Sequence, residues 1–352
     1  MNHRITCAPI TCALIAAGLV AGVSAGASAR DLTVVSWGGS YQDAQRKAYF
    51  EPFQKETGIK LIEDSWDGGI GALRAKVQGG AVPWDVLQAE AEELSIGCDE
   101  GILVPIDWSK LGGRDAYLPS AVSDCGVGAI LWSVVLSYDG AKFPNGGPQS
   151  WADFWDVKKF PGKRALRKGP KYNLEFALMA DGVPPKDVYK VLATEEGVNR
   201  AFAKLEELKP HLIFWEAGAQ PPQLLASGEV AMTSVYNGRL DAPRSEGKDF
   251  RIVWPGSIYA IDSWVIPKGS PNVDEAMTLI AFMSAPENQK NLPKYISYGV
   301  TNKEATKEIP PDILKNLPSA PENLEGAIAI DTEFWTDHVD EMNKRFTAWA
   351  AQ

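Results

Sequence analysis

Along residues 31–100 the spacing of apolar positions switches repeatedly between two periods. Leu32-Thr33-Val34-Val35-Ser36 is a β-rich run, and 41–57 carries Ala44, Ala48 and Phe53 at helical spacing before Gly58, a helix stop. A second strand is expected over 59–62, a helix over 70–78 ended by Gly79-Gly80, and a third strand over 84–87 feeding a helix over 92–100. Alternation of this kind predicts a parallel sheet with helices on both faces.

The middle of the chain repeats the theme. Strands are expected over 212–214, 230–235 and 251–254, with a helix over 198–208, which makes a second α/β unit. Two further extended runs, 134–138 between the units and 261–267 far downstream, are placed to cross from one to the other. Two crossings make each lobe discontinuous: 30–137 with 261–305 as lobe 1, and 138–260 with 306–352 as lobe 2. The expected fold is α/β and two-lobed, each lobe a mainly parallel sheet flanked by helices, with a ligand cleft between them. The tail reads as a helix with Met342, Phe346 and Trp349 on one face.

The amino terminus is organised differently. A basic start at Arg4, a short apolar run over 10–23 and Ala27-Ser28-Ala29 before Arg30 read as a signal peptide over 1–29. A membrane anchor is the competing reading, and the run is short for a span and ends in small residues. Cys7 and Cys12 fall in that leader and do not close it as a lipoprotein site would. A soluble periplasmic body follows, expected to be a monomer. The whole chain has a net charge of −10, and losing Arg4 with the leader makes the body slightly more acidic. Such a balance argues against nucleic acid and anionic lipid as partners. Cys98 and Cys125 are the cysteines beyond the leader, and in an oxidising compartment they are expected to form a disulfide, with two buried thiols as the alternative. Closing that loop stabilises by about 3 kcal/mol in the chain-entropy model.

No reaction chemistry assembles in this sequence, and the chain is expected not to be an enzyme. His211 and His338 have no H-E-x-x-H context and no neighbouring metal-ligand set, so neither a metal nor a cofactor is expected. The Gly-x-Ser-x-Gly match, 22–26, lies inside the leader. Gly68-Gly69-Ile70-Gly71 before a helix is either an anion cradle or a glycine-rich turn, and no Walker lysine accompanies it. Glu90, Glu92 and Glu93 follow the third strand, where open α/β sheets place ligands. They do acid/base work, attract an ammonium group or form the solvated first turn of a helix, and these readings stay open. Trp37, Trp132, Trp215 and Trp264 stand near strand ends, as walls for an aliphatic or cationic ligand or as core.

Several pieces, taken in order, resemble a known family: Ser36-Trp37-Gly38-Gly39-Ser40-Tyr41, Trp84-Asp85-Val86, Ser150-Trp151-Ala152-Asp153-Phe154-Trp155, Ser227-Gly228-Glu229-Val230, Tyr236-Asn237-Gly238-Arg239 and Asp262 followed by Ile266-Pro267-Lys268-Gly269. Together they look like the spermidine/putrescine-type periplasmic binding proteins. The resemblance implies a two-lobed receptor of the type II binding-protein architecture that closes on a linear amine and hands it to the membrane permease of an ABC importer. In that family a tryptophan and a tyrosine at the first strand tip, an acid in the second crossing and a late tyrosine hold the ligand, and here they match Trp37, Tyr41, Asp262 and Tyr298.

The departures from that family change the expected ligand. Ala260 stands where an aromatic is expected, Lys168-Gly169-Pro170-Lys171-Tyr172 is basic where carboxylates are expected, and Arg239 adds a guanidinium beside Tyr236. A dication would be repelled there. Asp262 at one end and Arg239 at the other suit a zwitterion with separated charges, such as 4-aminobutyrate (GABA) or 5-aminovalerate, with putrescine or spermidine as the alternative. A surface or interlobe ion pair is the competing role for Arg239. The candidate ligand contacts are Trp37, Ser40, Tyr41, Glu90, Trp132, Tyr172, Trp215, Gln220, Tyr236, Arg239, Asp262, Trp264 and Tyr298.

Overall fold

Val34 and Val35 are neighbours on one strand, so they face opposite sides of the sheet, and both are fully buried. Helices must therefore cover the sheet on both faces. The computed structural model describes residues 1, 30–80 and 82–352, and the fold is that of Asp31–Gln352. The leader expected over 1–29, Met1 apart, lies outside the described residues. Among those residues no helix is long and apolar enough to cross a membrane.

The strands are β1 (Leu32–Ser36), β2 (Leu61–Ser65), β3 (Val86–Ala89), β4 (Gly126–Asp139), β5 (Arg164–Arg167), β6 (Leu212–Trp215), β7 (Met232–Tyr236), β8 (Phe250–Val265) and β9 (Ile328–Ala329). Their hydrogen-bonded order is β2-β1-β3-β8-β4-β7-β5-β6, with β9 beside β8. Each flank is a parallel set: β1 pairs with β2 and β3, and β5 pairs with β6 and β7. The two long strands β4 and β8 join the sets by antiparallel pairing. β3 pairs with the Ser263–Val265 end of β8, while β7 pairs with Val134–Tyr138 of β4.

The first expected strand and the helix over Ile70–Gln78 have the bounds read from the sequence. Helix 41–57 forms as Gly39–Gln45, a π-helical turn Arg46–Phe50 and Glu51–Thr57, ended by Gly58 at φ 73°, a left-handed conformation that suits glycine. β2 starts later than the apolar run 59–62. The Thr57 hydroxyl accepts from Ile59 N and the Gln54 carbonyl from Leu61 N, so side chains at the helix end take the backbone that a strand neighbour would otherwise use.

The largest difference is in β8. Runs 251–254 and 261–267 read as two strands, yet 250–265 is one. Pairing with β4 jumps from Val253↔Leu136 to Ile258↔Val134, and Pro255 and Gly256 (φ 78°) fall in that irregularity. A proline has no N–H to give a ladder, and a bulge is where a strand tolerates one.

Helix Thr332–Ala350 buries Met342, Phe346 and Trp349, with Phe346 and Trp349 edge-on to Phe214 at 5.5 and 6.2 Å. Cys98 and Cys125 are bonded, with Cα atoms 5.6 Å apart, which ties helix Ala91–Asp99 to the start of β4.

Candidate ligand-binding site

Strand ends converge where β4 and β8 pass between the two parallel sets. Pairing of β4 with β8 sets Ile130 opposite Asp262 and Trp132 opposite Ala260. β1 ends at Ser36 and delivers Trp37, and the following helix delivers Tyr41. β3 ends before Glu90, β5 ends in Arg167, and β7 ends in Tyr236 and a turn, Asn237–Leu240, that carries Arg239. A bridge between Leu131 and Gly299 brings in Tyr298. The resulting cavity, about 440 Å³, is lined by Trp37, Tyr41, Glu90, Ile130, Trp132, Arg167, Tyr236, Arg239, Asp262 and Tyr298, together with Trp66, Asp67, Glu216 and Gly218. Ligands in open α/β folds take this position, beyond the carboxyl ends of the strands.

Asp262 is 3 % exposed. Its Oδ1 accepts from Trp132 Nε1 at 2.5 Å and its Oδ2 from Gln88 Nε2 at 3.3 Å. Gln88 is oriented in turn, since its own carbonyl oxygen accepts from Gln45 Nε2 at 2.8 Å and Ser36 Oγ at 3.1 Å. No lysine or arginine among the described residues forms an ion pair with Asp262. Burial, with the charge of Glu90 added, pushes its carboxyl well above the usual range, and the Trp132 hydrogen bond opposes this only in part. A carboxylate in that state is stabilised by an arriving cation.

Glu90 lines the same cavity under opposite conditions. Arg167 Nη1 donates to Glu90 Oε1 at 3.1 Å, and Lys171 Nζ pairs with both Glu90 and Glu92. Burial raises the Glu90 carboxyl, but Lys171 and Arg167 outweigh it and hold it at about 2.

Arg239 reaches across the cleft. Its Nη1 donates to the Gly38 carbonyl at 2.7 Å and its Nη2 to the Trp37 carbonyl at 2.9 Å, and the guanidinium lies 5.7 Å from the Tyr41 ring centre. Gly39, at φ 56°, makes this approach possible, because a β-carbon there would sit 2.9 Å from Arg239 Nη1. Two buried donors of cavity-lining residues, Arg239 Nε and Trp37 Nε1, have no protein partner. Tyr41 and Tyr298 meet edge-on at 5.1 Å, and Trp132 and Tyr236 do the same at 5.1 Å, so the walls are rigid aromatics.

The structure thus brings Trp37, Tyr41, Glu90, Trp132, Tyr236, Arg239, Asp262 and Tyr298 together. It sets five other expected contacts elsewhere. Tyr172 stands behind the wall, edge-on to Trp132 at 5.9 Å with its hydroxyl donating to Glu90 at 3.2 Å. Trp215 packs behind Tyr236 at 5.7 Å, and Trp264 is buried in the sheet opposite Gln88. The Gln220 carbonyl oxygen is taken by Glu216 N and Ala217 N, and Ser40 lines a separate groove beside Tyr295 and Ile296. Glu92 and Glu93, read as either ligand groups or a solvated turn, are buried instead. Glu93 accepts from Gly69 N, so the glycine-rich stretch read as a possible anion cradle already holds a carboxyl of its own chain. Burial and the two neighbouring acids push Glu93 up to about 8.

Arg167 and Trp66 were not expected in the site. Both stand at strand ends, Arg167 closing β5 and Trp66 following β2, and Trp66 stacks on Trp37 at 5.3 Å. Their positions at strand tips were the available signal.

Residues 48–322 match the family described as bacterial extracellular solute-binding protein. The gamma-aminobutyric acid-binding protein of Pseudomonas aeruginosa is 49% identical over 95% of this chain and 95% of its own. Spermidine/putrescine-binding periplasmic protein 1 of Haemophilus influenzae is 26% identical over 83% of this chain and 81% of its own. The solved structure of a GABA receptor superposes with a TM-score of 0.79 at 36% identity, covering 92% of this chain and 98% of that one.

Proposed function

Because the chain belongs to the bacterial extracellular solute-binding proteins, which capture small molecules for ABC importers and catalyse no reaction, we propose that its solute is a linear ω-amino acid, GABA or 5-aminovalerate. One observation carries the reading. A single aromatic cavity holds a buried carboxylate without an ion-pair partner, Asp262, and two buried donors without protein partners, on Trp37 and Arg239. An ammonium meets the need of the first and a carboxylate the need of the second, while the rings pack the methylenes between them. The relative that binds gamma-aminobutyric acid supports the same ligand class.

Lobe 1 in this reading comprises 30–137 and 261–305, and lobe 2 comprises 138–260 and 306–352. The passage of β4 and β8 between the parallel sets supports that division. The periplasm, reached by cleavage after Ala29, is the proposed compartment, and the protein works there as a monomer.

Calorimetric titration tests the proposal. GABA or 5-aminovalerate is expected to bind the native protein, and Arg239→Ala to weaken binding by about 10- to 100-fold, the range for a lost charge-assisted hydrogen bond. Undiminished affinity in that variant refutes the carboxylate assignment, and saturable binding of putrescine in preference to both amino acids refutes the ligand class.

A further inference from the structure

Four acids line the ligand cavity; Asp67 and Glu216 are exposed at its edge, and of the two buried ones, Asp262 and Glu90, only Asp262 is free to meet a cation. Asp262 has hydrogen-bond donors but no ion pair, whereas Glu90 is paired with Arg167 at 3.1 Å and with Lys171, which also pairs with Glu92. Tyr172 and Tyr236 complete the shell around Glu90, with hydroxyls at 3.2 and 3.4 Å from its Oε1. Glu90, Glu92 and Lys171 are all less than a tenth exposed, so solvent screens the cluster little.

The segment that supplies Lys171 is held in place with some care. Tyr172 directly follows it at φ 72°, the one non-glycine residue with positive φ among the described residues. Such a conformation is unfavourable for a tyrosine and persists only where surroundings enforce it. Asn173 does part of that work, its side-chain amide donating to the carbonyls of Arg167 at 2.6 Å and Gly169 at 2.7 Å.

We propose that Lys171, assisted by Arg167, is a charge filter: by neutralising Glu90 it leaves the cavity a single available buried carboxylate, and so selects a ligand with one ammonium over a diamine of the same length. The inference rests on the ω-amino acid reading and names what excludes its nearest competitor. GABA and 1,4-diaminobutane share a four-carbon span and differ in the charge at one end, so size cannot separate them. In the native protein the second ammonium of the diamine meets Arg239 and an acid already paired. Without Lys171, Glu90 and Glu92 are two buried carboxylates sharing Arg167, and an entering ammonium relieves them. Lys171 reaches the ligand only through Glu90 and is a positioning residue for specificity.

Lys171→Met tests this by calorimetry with GABA and 1,4-diaminobutane at pH 7. Diamine affinity is expected to rise at least tenfold in absolute terms while GABA affinity does not rise. Lys171→Arg is expected to keep the native preference, and adding Glu90→Gln to Lys171→Met to erase the gain. If Lys171 merely holds the lobes together, its loss weakens both ligands in parallel, and that outcome overturns the proposal. Should Lys171→Met fail to fold, Arg167→Leu removes the other cation from Glu90, and an unchanged diamine affinity there overturns it equally. Native protein that binds neither GABA nor 5-aminovalerate sinks the parent reading along with this one. Native protein that binds GABA, with variants whose diamine affinity does not move, sinks the filter alone.

Discussion

Asp262 illustrates how a residue's surroundings turn an ordinary carboxylate into a receptor. Its two donors, Trp132 and Gln88, orient it without supplying charge, and burial keeps it proton-seeking until a cation arrives. Asp262→Asn keeps the shape and removes the charge. That variant is expected to lose detectable GABA binding while its melting temperature without ligand stays level or rises, because the cost of burying the anion is gone. Normal ligand-induced thermal stabilisation in Asp262→Asn would contradict the assignment. Asp262 could be singled out from the sequence through the family resemblance, because it stands where that family places an acid in the second crossing. Arg167 could not, since nothing local says that the end of a four-residue strand will face an acid from the other side of the cleft.

Elements meet through polar contacts that no single-element pattern reveals. Glu175, in helix Asn173–Ala180, accepts from Trp335 of the C-terminal helix at 2.8 Å and from Tyr189 at 3.0 Å, and its second oxygen has no partner. Burial pushes this carboxyl up to about 7 against hydrogen bonds that pull it down. A folded-state value above the unfolded one means stability that is fully present below about pH 4.5 and lost as pH rises through 7. Glu175→Gln keeps the acceptor and cannot ionise. Its advantage over the native chain should therefore be small at pH 5 and reach up to about 3 kcal/mol at pH 8, read from denaturant midpoints at the two pH values. Equal differences at both pH values would refute that account. Periodicity placed the first strand and helix Ile70–Gln78 correctly and split β8 in two, because Pro255 and Gly256 interrupt an apolar pattern that the β4 ladder carries through.

At the scale of the whole molecule, the contacts flanking the cavity join the two parallel sets. Arg239 holds the carbonyls of Trp37 and Gly38, while Arg167 and Lys171 hold Glu90 and Glu92. These partners come from strands on opposite sides of the β4–β8 crossing, and ligand-driven closure of the lobes is expected to make them. Small-angle scattering should therefore show a smaller radius of gyration with saturating GABA than without it, and an unchanged radius would argue against ligand-driven closure. The sequence by itself determined the α/β class and the cysteine pair, because these rest on local periodicity and the compartment, while the family resemblance pointed to Trp37, Tyr41, Tyr236 and Asp262. Only the tertiary structure decided which charges remain available. Asp262 and Glu90 are both acids near strand ends, and they differ because chain segments 77 and 81 residues beyond Glu90 fold back to place Arg167 and Lys171 against it, while no lysine or arginine among the described residues pairs with Asp262. Electrostatic pairing depends on distance in space and on exclusion of water, and neither is written in the order of residues along the chain.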